Sequence, residues 1–174
     1  LLTGIISKTR SFKTITITPH TLNSASQLMK IVANRKKIVR HLYYSRSIAS
    51  LKIWGQALTH LQNDPQNGLV WTCITRDNFI HSNASEEELD DLIHELIINS
   101  PEAKIILLLY ETPNGSAGNK IRGVVVTDEQ HNAKTLLQTF EPKGDKKRAS
   151  FVIEDKGLKE AERSVLEEIK KKLN

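Results

Sequence analysis

Apolar positions change their period part-way along the chain. An early helical spacing gives way to short strands alternating with helices, and the change falls at the turn-forming run NDPQNG, residues 63–68. That run is expected to be a linker. Ahead of it, LLTGIIS at residues 1–7 reads as a short buried strand. Thr18 followed by Pro19 is a helix start, with the hydroxyl as cap and proline at the first helical position. Leu22, Ala25, Met29 and Val32 then make one apolar stripe. A short helix is predicted over Arg35–Tyr44. A longer one starts at Ser47, with Ile48, Leu51, Leu58 and Leu61 along one face and Trp54 packing beside them.

Beyond the linker, Leu69–Thr75 reads as a strand and Arg76–His81 as a helical turn. Ser85 with Glu88 has the spacing of a capping box, opening a helix with the stripe Leu89, Leu92, Ile93, Leu96 and Ile97, and Pro101 lies just past its end. Lys104–Thr112 and Lys120–Thr127 are strands joined through PNGSAGN as a hairpin with a longer loop. Asn132–Phe140 is helical, Ala149–Glu154 a strand, and Leu158–Leu173 a terminal helix with Leu158, Ala161, Val165, Ile169 and Leu173 on one side. The order β-α-β-β-α-β-α predicts an α/β fold, a mixed sheet with packed helices.

Charge sharpens this division. Residues 1–63 hold ten Lys or Arg and no Asp or Glu, whereas residues 64–174 hold fifteen basic and twenty acidic residues. The basic segment points to an anionic partner or to a surface that docks on the rest of the protein. It also excludes a carboxylate-built metal site or a paired-carboxylate hydrolytic site within residues 1–63. The 174 residues are 39% hydrophobic and 26% charged, a globular balance. The longest apolar run, Ile105–Tyr110, is far too short to span a bilayer. The first residues do not read as a signal peptide, and the lone Cys73 cannot form an internal disulfide. A cytoplasmic protein with no membrane partner is expected. The chain opens without Met, which is read as a fragment or an earlier start.

Generic chemical motifs are sparse. The histidines at 20, 41, 60, 81, 94 and 131 form no HxH or HxxxH pair, and Cys73 sits in an apolar strand as a buried thiol. There is no Walker loop, GxSxG elbow or GxGxxG fingerprint. One segment has a phosphate-binding look: EPKGDKKRAS, residues 141–150, places Lys143, Lys146, Lys147 and Arg148 around Gly144 between a helix and a strand. Such a loop can present positive charge and backbone N–H groups to an anion, or be a solvated basic turn.

With that loop in view, LLTGIISKTRSF, the TP helix start and HLYYSRSIASLKIWGQAL resemble the end of the catalytic domain of the DHH phosphoesterases. The branch is similar to the small bacterial oligoribonucleases that also dephosphorylate 3′-phosphoadenosine 5′-phosphate. LVWTCIT, the capped acidic helix, KIRGVVV and the basic loop before Phe151 resemble the DHHA1 domain of that family. The resemblance covers essentially the whole chain. It implies the C-terminal, mainly helical part of a DHH-like domain over residues 1–62, a linker at 63–68 and a DHHA1-like α/β domain over 69–174.

The resemblance also implies where the family's chemistry has changed. Its first motif runs TGI, two residues, then Asp-Thr-Gly, and the aspartate helps hold a manganese pair. Here Lys8 stands at the aspartate, Thr9 is kept and Arg10 replaces the glycine. The family's other metal ligands are expected upstream of Leu1. Its second motif is a run of four glycines and a histidine. Glu141, Pro142 and Lys143 replace three glycines, Gly144 keeps the fourth and Asp145 stands for the histidine. Arg122 keeps the first arginine of the substrate-facing strand, and Val126 replaces the second.

The expected protein is a degenerate phosphoesterase of this type, non-catalytic as given and without a cofactor of its own. Manganese enters only if an upstream part restores the family site. It would bind a nucleotide or short single-stranded RNA or DNA in a cleft between two lobes, through Lys8 and Arg10 on one wall. Arg122, Lys143, Gly144, Lys146, Lys147 and Arg148 would form the other. With no aromatic group in the loop, little base preference is expected. Two alternatives are a fragment of an active manganese-dependent enzyme and a structural subunit partnered by another chain or by the missing lobe.

Overall fold

The computed structural model describes residues 1–9, 11–12, 14, 17–31, 38, 47–89, 92–93, 102–113 and 120–173. The chain divides into two compact units, Leu1–Ser47 and Ile48–Asn174.

The first unit contains helices α1, Leu2–Lys8, and α2, Pro19–Ile31. Residues 1–7 are thus not the strand that their isoleucines favour. Leu2 and Ile6, four apart, are both buried and pack with Ala25 of α2, a spacing only a helix puts on one side. Thr9 closes the helix by donating both its N–H and its hydroxyl to the Ile5 carbonyl, at 3.0 and 2.6 Å. The start of α2 is the one expected: Thr18 Oγ1 accepts from the Thr21 N–H at 3.2 Å. Leu22, at the start of the predicted stripe, is exposed while Ala25 is buried. The helix predicted over 35–44 lies outside the described residues.

The second unit is built on one six-stranded mixed sheet. Its strands are β1 (Gln62–Asp64), β2 (Leu69–Ile74), β3 (Ile105–Glu111), β4 (Ile121–Thr127), β5 (Lys143–Gly144) and β6 (Arg148–Ile153). They lie in the order β1-β2-β3-β4-β6-β5, with β2 and β3 parallel and every other pair antiparallel. The helices are α3 (Ile48–Thr59), α4 (Arg76–Ser82), α5 (Ala133–Leu136) and α6 (Leu158–Leu173), with a 3₁₀ turn at Gln138–Phe140. This is the mixed α/β architecture that the alternating pattern predicts.

Two features of the sequence pattern are corrected here. Residues 63–68 are not an interdomain linker: they form the end of β1 and the turn of a β1–β2 hairpin, with Asp64 opposite Leu69 and Gly68 at φ 59°. The face predicted for α3 is also reversed. Ile53 and Ala57 are fully buried on the sheet, while Ile48, Leu51 and Leu58 are exposed. The helix carries two apolar stripes, and the one with the small residue wins. Ala57 lets the backbone approach closely enough for Thr72 Oγ1 to donate to its carbonyl at 2.6 Å. Trp54 does pack against this core, and its indole N–H donates to the Glu88 carbonyl at 2.9 Å.

The hairpin turn is tied down electrostatically. Asp64 accepts from Lys170 of α6 at 2.8 Å and from the Asn67 amide at 3.0 Å. The Lys170 contact, then Asn67, holds the Asp64 carboxyl below its ordinary range. A carboxylate shifted down stabilises the fold above its unfolded pKa, and that contribution is lost as the pH falls through the folded value. Asp64→Asn is therefore expected to lower the melting temperature near neutral pH, with the gap to wild type closing as the pH drops below about 4. Thermal unfolding at several pH values checks this, and a gap of constant size would contradict it.

The sheet's two faces follow the period-two alternation of its strands. One face carries Leu69, Trp71, Ile105, Leu107, Leu109, Ile121, Val125, Ala149, Phe151 and Ile153, covered by α5 and by Ala161, Val165 and Ile169 of α6. On the other, Ile74, Ile106, Leu108, Tyr110, Val124 and Val126 pack with Ile53, Ala57, Phe79, Leu89, Leu92 and Ile93. Residues 87–89 and 92–93 are helical, and Leu96, Ile97 and Pro101 lie outside the described residues. Beyond β4 this second core stops. Alternate residues of β6, Arg148, Ser150 and Val152, are half-buried or exposed. Among the described residues, no apolar cluster covers that end of the sheet.

Candidate functional site

A pocket of about 620 Å³ lies over that uncovered end. Its floor is β4 and β6, where Arg122 pairs in register with Val152 and Val124 with Ser150. Arg122 is on the same alternating set as Val124 and Val126, so its side chain emerges where the second core ends. Arg148 and Lys143 line the same pocket from β6 and β5. Three of the cations picked from the sequence, Arg122, Lys143 and Arg148, are thus brought together.

Lys146 and Lys147 are not part of this pocket's lining. Lys146 Nζ donates to the Glu129 carbonyl at 3.0 Å, and Lys147 Nζ pairs with the Glu129 carboxylate at 3.1 Å. Gly144 sits in β5 at φ 137°, where a Cβ would stand 2.2 Å from the Arg148 carbonyl oxygen, so its role is to let the two short strands meet. Lys8 ends α1 in the other compact unit, and Arg10 lies outside the described residues.

The loop does not offer its backbone to an anion in the way its composition predicts. Asp145 Oδ1 accepts the N–H groups of Lys147 and Arg148 at 2.7 and 2.9 Å. Those two bonds, Arg148 first, keep the Asp145 carboxyl below its ordinary range. Asp145 therefore fills this anion nest from within. Glu141 takes the left-handed backbone, φ 48° and ψ 57°, that glycine would adopt freely, at a cost of about 1–2 kcal/mol. Val126, where the resemblance puts a second arginine, is buried in the second core.

Carboxylates balance the cations. Glu86, Glu87 and Glu141 also line the pocket, and Arg122 Nη1 pairs with Glu86 Oε2 at 3.0 Å. Tyr110 Oη donates to the same oxygen at 3.2 Å. Burial, and then the Glu86 charge, pushes the Tyr110 hydroxyl up to about 12, so it remains a donor at neutral pH. Phe140, half-buried and tilted against Phe151 with ring centroids 5.3 Å apart, supplies an apolar edge. Glu86, Tyr110 and Phe140 are the members that the sequence reading missed. Phe140 is the aromatic group missing from the loop itself, one residue before it.

Among the described residues, no three His, Cys, Asp or Glu side chains converge as a metal needs. Lys8 adds an ammonium where the resemblance puts a ligand. Cys73 is not a nucleophile at neutral pH, because burial and then Glu162 push its thiol up to about 12. Among the described residues, no helix is long and apolar enough to cross a membrane.

An exopolyphosphatase-related protein from Bacteroides fragilis superposes on 97% of the chain with a TM-score of 0.81 and 12% identity. The fold is shared with that protein. A family II inorganic pyrophosphatase from Methanococcus jannaschii, described as putative, aligns over 98% of the chain with a TM-score of 0.46 and 17% identity. The pGpG-specific phosphodiesterase PggH from Vibrio cholerae aligns over 90% with a TM-score of 0.48 and 14% identity. The chain spans about half the length of these structures, 48%, 53% and 51% respectively. No protein-family model and no curated protein matches the sequence.

Proposed function

We propose that the α/β unit binds a nucleotide or short single-stranded nucleic acid by a phosphate, on the open end of the sheet, without hydrolysing it. The observation that carries this reading is the convergence of Arg122, Lys143 and Arg148 on one pocket edged by Phe140. A guanidinium presents paired donors to phosphate oxygens, and the lysine adds a point charge. Phe140 gives a base or ribose an apolar surface. The absence of hydrolysis rests on residues rather than on shape: Lys8 replaces the aspartate that the resemblance assigns to metal, and Asp145 occupies the loop's donors. In family terms this is a degenerate DHH/DHHA1 protein similar to the oligoribonuclease branch.

Mapping backbone amide shifts while a 5′-phosphorylated tetraribonucleotide is titrated into the labelled protein tests the reading. Shifts are expected at Arg122, Gly123, Phe140, Lys143 and residues 148–152, and the oligonucleotide should be recovered at full length with manganese present. Shifts confined to the Glu129–Lys147 edge would move the site elsewhere. Shortened oligonucleotide would overturn the non-catalytic half of the reading.

A further inference from the structure

The pocket contains its own competitor for the ligand. Glu86 follows α4 and reaches across the sheet face to Arg122, with the arginine side chain 48% exposed and the glutamate 29%. Its carboxylate is held there by a fixed chain of contacts. Phe79 of α4 packs edge-on against Tyr110, with centroids 6.1 Å apart, and Tyr110 Oη donates to the Glu86 oxygen that Arg122 also contacts. One oxygen thus collects two donors that a bound phosphate oxygen would use.

We propose that Glu86 is a specificity-determining residue, an internal anion that occupies Arg122 until a ligand phosphate displaces it. The inference rests on the phosphate-binding reading above and adds what governs its strength. A phosphate that takes Arg122 must return Glu86 to solvent, and Tyr110 Oη is freed at the same time to donate to the incoming group. Weakly acidic or neutral ligands gain nothing from that exchange, so the carboxylate screens the site for strong anions. Glu87 and Glu141 line the pocket too, but Glu86 is the one seen on the guanidinium.

Fluorescence anisotropy of a labelled 5′-phosphorylated tetraribonucleotide with the full chain at low salt tests this. Glu86→Gln keeps the side chain's shape and an acceptor for Tyr110. It is expected to bind about fivefold tighter than wild type, the scale of an exposed ion pair. The gain should vanish in an Arg122→Gln background, and Glu87→Gln should show a smaller gain. Binding by Glu86→Gln no tighter than wild type overturns the inference while the phosphate site stands. So does a gain that survives loss of Arg122, or an equal gain from Glu87→Gln. If neither wild type nor Glu86→Gln binds, the phosphate-binding reading fails, and this inference with it.

Discussion

Gly123→Ala is expected to destabilise the α/β unit by about 3 kcal/mol, at the upper end of the cost of overpacking a core. Gly123 lies opposite Phe151 in the β4–β6 register, and a Cβ there would stand 2.1, 2.4 and 2.7 Å from three atoms of the ring. The ring has nowhere to retreat. It is 4% exposed, tilted against Phe140 and enclosed in the core under α5 and α6. The missing side chain thus makes room for an aromatic ring across the glycine, a device that also protects the strand's backbone. Urea denaturation should show a lowered midpoint, and Phe151→Leu in the Gly123→Ala background should recover part of the loss. A change below about 1 kcal/mol would mean that the ring can move aside. Because the same two strands floor the pocket, the damage should extend to ligand binding.

Arg122→Gln is expected to weaken oligoribonucleotide binding by roughly 10- to 100-fold, the worth of a hydrogen-bonded charge on phosphate. The loss is that of the guanidinium's paired donors to phosphate, and Glu86 is left with no guanidinium to contest. Stability should change little, since the arginine is half-exposed and its ion pair is of the weakly stabilising surface kind. Unaltered affinity in a folded Arg122→Gln protein would show that the phosphate is held elsewhere.

How much of this was legible in the sequence varied with how many readings each segment allowed. Helix α6 has the bounds predicted for it, because Ala161, Val165 and Ile169 form its one buried stripe against a charged remainder. Strands β3 and β4 were equally plain as apolar runs on either side of a turn signal. Residues 1–7 favour a strand locally through their β-branched isoleucines, whereas the contact of Leu2 and Ile6 with Ala25 that makes them helical is tertiary. In α3 both candidate faces were apolar, and only the sheet's preference for close approach at Ala57 separates them. For the pocket, Lys143 and Arg148 stand out as cations around Gly144, and Arg122 follows from a resemblance. Glu86 and Tyr110 could not, because they meet Arg122 across 36 and 12 positions of sequence. The reach of Asp145 back onto its own loop is open to the sequence, as a carboxylate two and three residues before the N–H groups it accepts.

Titration of a labelled 5′-phosphorylated tetraribonucleotide into the wild-type chain at two salt concentrations tests the central claim most directly. With two or three phosphates neutralised, affinity should fall about tenfold between roughly 50 and 200 mM salt. Lys143→Gln should reduce that slope, because it removes a cation of the pocket. Salt-dependent binding that Lys143→Gln and Arg122→Gln both weaken is the predicted result. No binding at low salt, or binding indifferent to both substitutions, would contradict a phosphate site on the open end of the sheet.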